Sequence, residues 1–176
     1  MFRRLGREEK FASNWIKLFL DTVVDSRGVT LQYNVVHVNR ESVVAVVRKG
    51  SQLLLTENYR YPIGKAQLEF PAGEIEDGET PWEAAQREVL EETGIRIRCE
   101  EDSYSFYPSN GLSDQKIHVV FGEYVEGELQ PQYEIMKCCW MEADEWDKRL
   151  MAGEVTDAAT LIACLYAKIR KQRGNC

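Results

Sequence analysis

Paired cysteines are missing from this 176-residue chain. Its five, Cys99, Cys138, Cys139, Cys164 and Cys176, are odd in number and nowhere take the CxxC spacing. That excludes a zinc knuckle and the even cysteine framework of a small secreted domain, and leaves reduced structural thiols as the expectation. Nor does the sequence hold a run of about 18 apolar residues, the length a membrane-spanning helix needs. The charges near the start, Arg3, Arg4, Arg7, Glu8, Glu9 and Lys10, have no apolar run behind them, so no secretory signal is read there and a cytoplasmic protein without membrane contact is expected. Repeats, low-complexity segments and Pro/Ser-rich linkers are absent too, which excludes a solenoid or a string of tethered modules.

What is present suits one well-cored domain with a small appendage: 44% of residues are apolar and 29% charged. Twenty-two basic against twenty-nine acidic side chains leave a net charge of −7, which speaks against nucleic acid as a partner. A phosphorylated small molecule stays open. An acidic protein with an anionic substrate needs cations between the two.

Residues 1–38 read as a β-hairpin region and residues 39–176 as the main domain. In the first, Trp15 to Val38 gives two apolar strands around a turn at Ser26, Arg27 and Gly28. A hairpin is rarely stable alone, so this one must lie on the main domain or pair with another subunit. The main domain opens with a buried strand from Ser42 to Arg48, a turn at Lys49 and Gly50, and a second strand from Gln52 to Glu57. Further strands are expected from Lys116 to Val125 and Glu134 to Met141, and a terminal helix from about Thr156 to Lys171, where Leu161, Ile162, Leu165, Tyr166 and Ile169 recur at helical spacing.

The informative segment runs from Glu69 to Ile95. Thr80 suits an N-cap, Pro81 the first helical position, Glu83 completes a capping box, and Gly94 can end the helix left-handed. At about 100° per residue, Glu91 and Glu92 fall roughly 60° and 40° to either side of Glu88, so three carboxylates share an arc of about 100°. Two of them sit in the last turn, where the helix dipole disfavours anions. An acidic solvated face is the ordinary reading of a Glu-rich helix, but a sequence chosen for stability alone would not cluster charge there. Converging hard oxygens suit Mg²⁺ or Mn²⁺, which keep open positions for water and phosphate oxygens.

The spacing is also specific. Gly73, Glu79, and then Arg87-Glu88-Val89-Leu90-Glu91-Glu92-Thr93-Gly94-Ile95 follow the pattern G-x5-E-x7-R-E-U-x-E-E-x-G-U at every position. Chance agreement at a given start is on the order of 10⁻⁹ or less from average residue frequencies. The chain therefore resembles the Nudix superfamily. That resemblance implies an α/β fold, a mixed β-sheet in an α/β/α sandwich, here with a small N-terminal β-hairpin subdomain. It implies Glu88, Glu91, Glu92 and the Ala72 carbonyl as metal ligands, with Arg87 and Glu79 clamping loop to helix, and a catalytic part for Glu92. Glu134 would act as base or extra ligand, although a strand-edge glutamate is an equal reading of it.

Outside the box, Asn58-Tyr59-Arg60-Tyr61-Pro62, Leu68 to Gly73, Tyr107 to Gly111 and Lys116-Ile117-His118 resemble the subgroup that hydrolyses ADP-ribose and related nucleoside diphosphate sugars. The subgroup commonly has Ser-Pro-Gly where this chain has Ser109-Asn110-Gly111, and an acidic residue at Gln115. GDP-mannose, another Nudix substrate such as a dinucleoside polyphosphate or NTP, and a non-catalytic nucleotide-sensing domain remain alternatives. Arg60 and Glu69 fall in the matched segment as substrate-binding candidates, the arginine through its planar fork. Trp15, Tyr33 or Tyr59 could stack on a base, or belong to core or interface. The resemblance further implies a homodimer in which the N-terminal hairpin pairs between subunits and contributes to the substrate pocket. His118 reads as structural, and His37 has no informative context.

Overall fold

A computed structural model describes residues 1–132 and 135–173. The chain divides into two compact units: Met1–Glu41 with Phe106–Lys116, and Ser42–Ser105 with Ile117–Cys176.

The first unit is an antiparallel sheet of three strands in the order β1-β2-β3: β1 (Arg3–Ala12), β2 (Ile16–Val24) and β3 (Thr30–Val38). The expected hairpin is β2–β3, in register from Ile16↔Val38 to Val24↔Thr30. The additional strand β1 is exposed along its whole length, so it carries no burial pattern that a sequence could display. Its Arg7 fork donates to both oxygens of buried Asp21, at 2.7 and 2.8 Å, and lies 4.3 Å above the Phe19 ring. The segment 106–116 is sewn to β3: Val36 N–H donates to Leu112, Asp114 N–H to the Val36 carbonyl, and the Tyr33 hydroxyl to Gly111. His37, which has no context in the linear sequence, has its Nδ1 2.6 Å from Asp114.

The second unit is a mixed sheet ordered β10-β5-β4-β9-β8, with β6 on β5 and β7 on β4. Its strands are β4 (Ser42–Lys49), β5 (Gln52–Arg60), β6 (Lys65–Glu69), β7 (Ala72–Glu74), β8 (Arg96–Phe106), β9 (Ile117–Glu126) and β10 (Ile135–Glu142). The β4–β9 pair is parallel. β4 and β5 pair only beside their turn, at Arg48↔Leu53 and Lys49↔Gln52; beyond it β4 takes β7 and β5 takes β6 as partners. The short strands thereby lead the chain from Glu69 towards the helix α1 (Pro81–Thr93).

That helix has the ends its sequence calls for. The Thr80 hydroxyl accepts from Glu83 N–H, Glu83 returns the bond to the Thr80 backbone, and Gly94 takes φ 75°. Its apolar side, Ala84, Ala85 and Val89, packs with Val43, Ala45, Val47, Leu54, Ile95, Ile97 and Val120 in the main core. Two further helices, α2 (Ala143–Met151) and α3 (Ala158–Arg173), complete the unit. They serve the alternate side chains of β4: Val46 shares a cavity wall with Phe70, Trp146 and Cys164. Helices on both faces of a mixed sheet are the expected α/β/α sandwich. His118 is buried in β9.

Candidate active site

Strand β7 and helix α1 form the site, and the helix addresses three consecutive backbone positions of the strand. The Ala72 N–H faces the Glu92 carboxylate and helps to hold its pKa down. Gly73 faces Glu88 so closely that a Cβ there would fall within its carboxylate. The Arg87 Nη2 donates to the Glu74 carbonyl at 2.8 Å. From the other sides, Pro71 O accepts Ala45 N–H at 2.8 Å and Phe70 N–H donates to the Thr160 hydroxyl at 3.3 Å.

Arg87 does what a clamp should. Its Nε and Nη2 donate to the two oxygens of Glu79 at 2.8 and 2.9 Å, and its Nη1 donates to Glu88 at 2.7 Å and Glu91 at 3.3 Å. Hydrogen bonds from this guanidinium hold Glu79 below the usual carboxylate range. Glu88 goes the other way: its burial outweighs the same arginine's help, and Glu91 and Glu79 add repulsion. Glu92 is pushed up to about 8, first by burial and then by the charge of Glu88; the Ala72 N–H and Arg60 oppose the rise. Its Oε2 is buried without a hydrogen-bond partner.

The three box glutamates are therefore not equivalent. Glu88 and Glu92 are enclosed, whereas the Glu91 side chain is 43% exposed. Among the described residues no three His, Cys, Asp or Glu side chains already converge on one point, because Arg87 draws Glu88 and Glu91 to itself. The donor set still fits a hard divalent cation: carboxylate oxygens, one of them buried and unpartnered, beside a strand whose Gly73 gives the Glu88 carboxylate the space a Cβ would take. Such an oxygen is costly until something positive meets it.

The Arg60 side chain of β5 reaches along the ladder to Glu69 of β6. Glu69 is 2% exposed, and the arginine fork grips both its oxygens, with Nε at 3.0 and 3.1 Å. Asp157 and Glu92 further raise the Arg60 pKa. Tyr59 is exposed. In the first unit Trp15 is 65% exposed on a braced turn: Ser13 Oγ accepts the Trp15 and Ile16 N–H groups, and Asn39 donates to Ser13 and Asn14. Glu134 lies outside the described residues. Sequence reasoning missed the Arg87 bond to the Glu74 carbonyl and the Thr160 bond to Phe70, since no residue pattern signals a bond to a distant backbone group.

Comparison with known proteins adds relatives along the whole chain. An "ADP-ribose pyrophosphatase" of Bacillus subtilis (strain 168) is 27% identical, with 96% of this chain and 94% of that protein covered. An "ADP-sugar pyrophosphatase" of Mus musculus is 36% identical over 60% of this chain and 54% of the mouse protein. A solved structure described as an ADP compounds hydrolase superposes with a TM-score of 0.83 at 21% identity, over 99% of this chain and 97% of that one, and shares the fold. The NUDIX domain family matches residues 38–162, from the end of β3 to the first turn of α3 and including the box helix, and the chain belongs to that family.

Proposed function

We propose that the protein is a divalent-metal-dependent pyrophosphohydrolase that cleaves the diphosphate of ADP-ribose or a related nucleoside diphosphate sugar, giving a nucleoside monophosphate and a sugar phosphate. One observation carries this reading: a half-buried Glu92 whose buried Oε2 has no partner, set against the glycine strand and beside Glu88. A structural role would have paired that oxygen.

Glu88, Glu91, Glu92 and the Ala72 carbonyl would hold the cation, Mg²⁺ or Mn²⁺. Bound there, it would neutralise the diphosphate and make a water acidic enough to attack. The chain's own part is to hold these oxygens ready. Arg87 ties helix to strand through Glu79 and Glu74, and Gly73 leaves room for the Glu88 carboxylate. Glu92 in its ionised form, or Glu134, orients the attacking water and takes its proton. Arg60, with Glu69 fixing its fork, presents positive charge to the substrate, while Trp15 or Tyr59 offers an aromatic face to the base. The names of the Bacillus and mouse relatives support a sugar nucleotide as substrate. Exposed Phe2, Leu5, Phe11 and Trp15 on the N-terminal sheet support a homodimer; a monomeric mass by light scattering would remove that part.

The test is phosphate release, with a coupled phosphatase, from ADP-ribose, GDP-mannose, other NDP-sugars, NADH, diadenosine polyphosphates and NTPs, with and without Mg²⁺ or Mn²⁺. Metal-dependent cleavage confined to NDP-sugars is expected. Saturable ADP-ribose binding with no turnover of any compound would instead make the chain a sensor.

A further inference from the structure

The strand that addresses the box helix is also held from the opposite side of the sheet, by the first turn of α3. Thr160 is fully buried, and its hydroxyl accepts the Phe70 N–H at 3.3 Å. Its own N–H is seated on the Asp157 carboxylate at 2.7 Å, so the threonine is fixed by the helix cap rather than free to follow the strand. Beside it the Gln67 amide bonds the Thr156 hydroxyl. The Phe70 ring, 1% exposed, packs 5.8 Å from Trp146 of α2. Two residues beyond Phe70 comes Ala72, whose N–H meets Glu92 and whose chain pairs with Val44. The ribbon from Gln67 to Glu74 is thus pinned by α3, β4 and α1 in succession.

An apolar residue would fill the Thr160 position in an otherwise apolar stretch of helix. A buried hydroxyl spent on one backbone N–H fixes the height of the ribbon over the sheet. We infer that Thr160 is a positioning residue for the metal centre: through the Phe70 N–H it sets where the Ala72 carbonyl and the Ala72 N–H stand relative to Glu92. It touches neither substrate nor cation. This assignment rests on the metal-site reading above. The groups that orient a ligand from behind typically carry 10–100-fold in metal affinity or activity.

The experiment is Mn²⁺ titration of the full chain, followed by electron paramagnetic resonance, for the wild type, Thr160→Val and Thr160→Ser, with circular dichroism to establish folding. Thr160→Val keeps the shape and removes the acceptor; its Mn²⁺ Kd should rise about tenfold, with kcat falling more than KM changes. Thr160→Ser restores the hydroxyl and should return Kd to within about twofold of wild type, which a packing role for the threonine methyl would not do. Gln67→Ala, at a half-buried position, loosens the same ribbon and should raise Kd about threefold, so the assignment stays testable if Thr160→Val does not fold. Unchanged Mn²⁺ affinity in folded Thr160→Val, or in Gln67→Ala should the valine variant not fold, overturns it while leaving the metal centre intact. A wild type that binds no Mn²⁺ overturns the metal reading and this assignment together.

Discussion

The two ends of α1 put the same side chain to opposite uses. At the N-terminal end Glu83 accepts the Thr80 N–H at 2.8 Å and its hydroxyl at 2.6 Å, and these bonds hold its carboxyl below the usual range. The helix dipole favours an anion there. Further along, Glu88 is raised by burial and by the charges of Glu91 and Glu79, and Glu92 by burial and by the charge of Glu88; Glu92 also lies in the last turn, where the dipole is unfavourable. The first end is arranged for folding, the second against it. The costly end is the one that the proposed metal site uses, and the contrast can be broken at several points.

Glu92→Gln should have the largest effect. It keeps the shape and removes the charge, so turnover should fall by more than about 10²-fold, beyond the loss typical of groups that only orient a ligand, while the thermal midpoint stays level or rises. Near-normal turnover would sink the assignment. The same carboxylate predicts a pH dependence for the metal-free protein. Its folded pKa of about 8 lies above the ordinary 4.5, so the folded state keeps a proton that the unfolded chain has already released. That contribution is complete below about pH 4.5 and is lost as pH rises through 8. The lowered carboxylates, Glu79 and Asp21 among them, work the other way, adding stability above their unfolded pKa that is already complete at neutrality. Urea midpoints should therefore fall between pH 6 and 8, and Mg²⁺ or the Glu92→Gln substitution should flatten the slope. A slope unchanged in the variant would assign it elsewhere.

Gly73→Ala comes next. The new methyl has no room unless Glu88 moves, and overpacking of this kind costs about 1–3 kcal/mol. Activity should drop on the order of 10–100-fold, because the displaced carboxylate is the one beside the cradle. The variant kinetics with saturating Mn²⁺ separate the two effects: a purely structural glycine would lose stability and keep kcat.

How much of this could be read in advance differs between the same two ends. Caps and box are local: Thr80, Pro81, Glu83 and Gly94 act within one or two turns, so spacing alone located the helix, and every one of them stands where its type suggested. The burial of β4 was equally legible from its run of valines. β1 was not, since its ten exposed residues beginning Arg-Arg-Leu-Gly show no alternation of apolar and polar side chains, and the partner that orders them, Asp21, lies fourteen residues from Arg7. β6 and β7 escaped notice because each is short and is defined by its neighbour strand rather than by alternation. Sequence spacing placed Glu91 with Glu88 and Glu92 on one arc, but could not tell that the sheet would enclose two of them and leave the third near water. Thr160 gave no signal at all: its meaning is a bond to a residue ninety positions earlier.

The smallest effect belongs to the end built for stability. Thr80→Ala removes the hydroxyl that accepts Glu83 N–H and the partner that Glu83 grips, and loss of such a cap costs about 1 kcal/mol. The helix stays, because Ala84, Ala85 and Val89 remain fully buried against the sheet. Fraying is confined to the first turn, and Arg87, which anchors through Glu79 and the Glu74 carbonyl, lies beyond it. Chemical denaturation should therefore report a loss of about 1 kcal/mol, with kcat and metal affinity unchanged. If activity fell with stability, the two ends of α1 would be coupled, and the separation between a folding end and a functional end would fail.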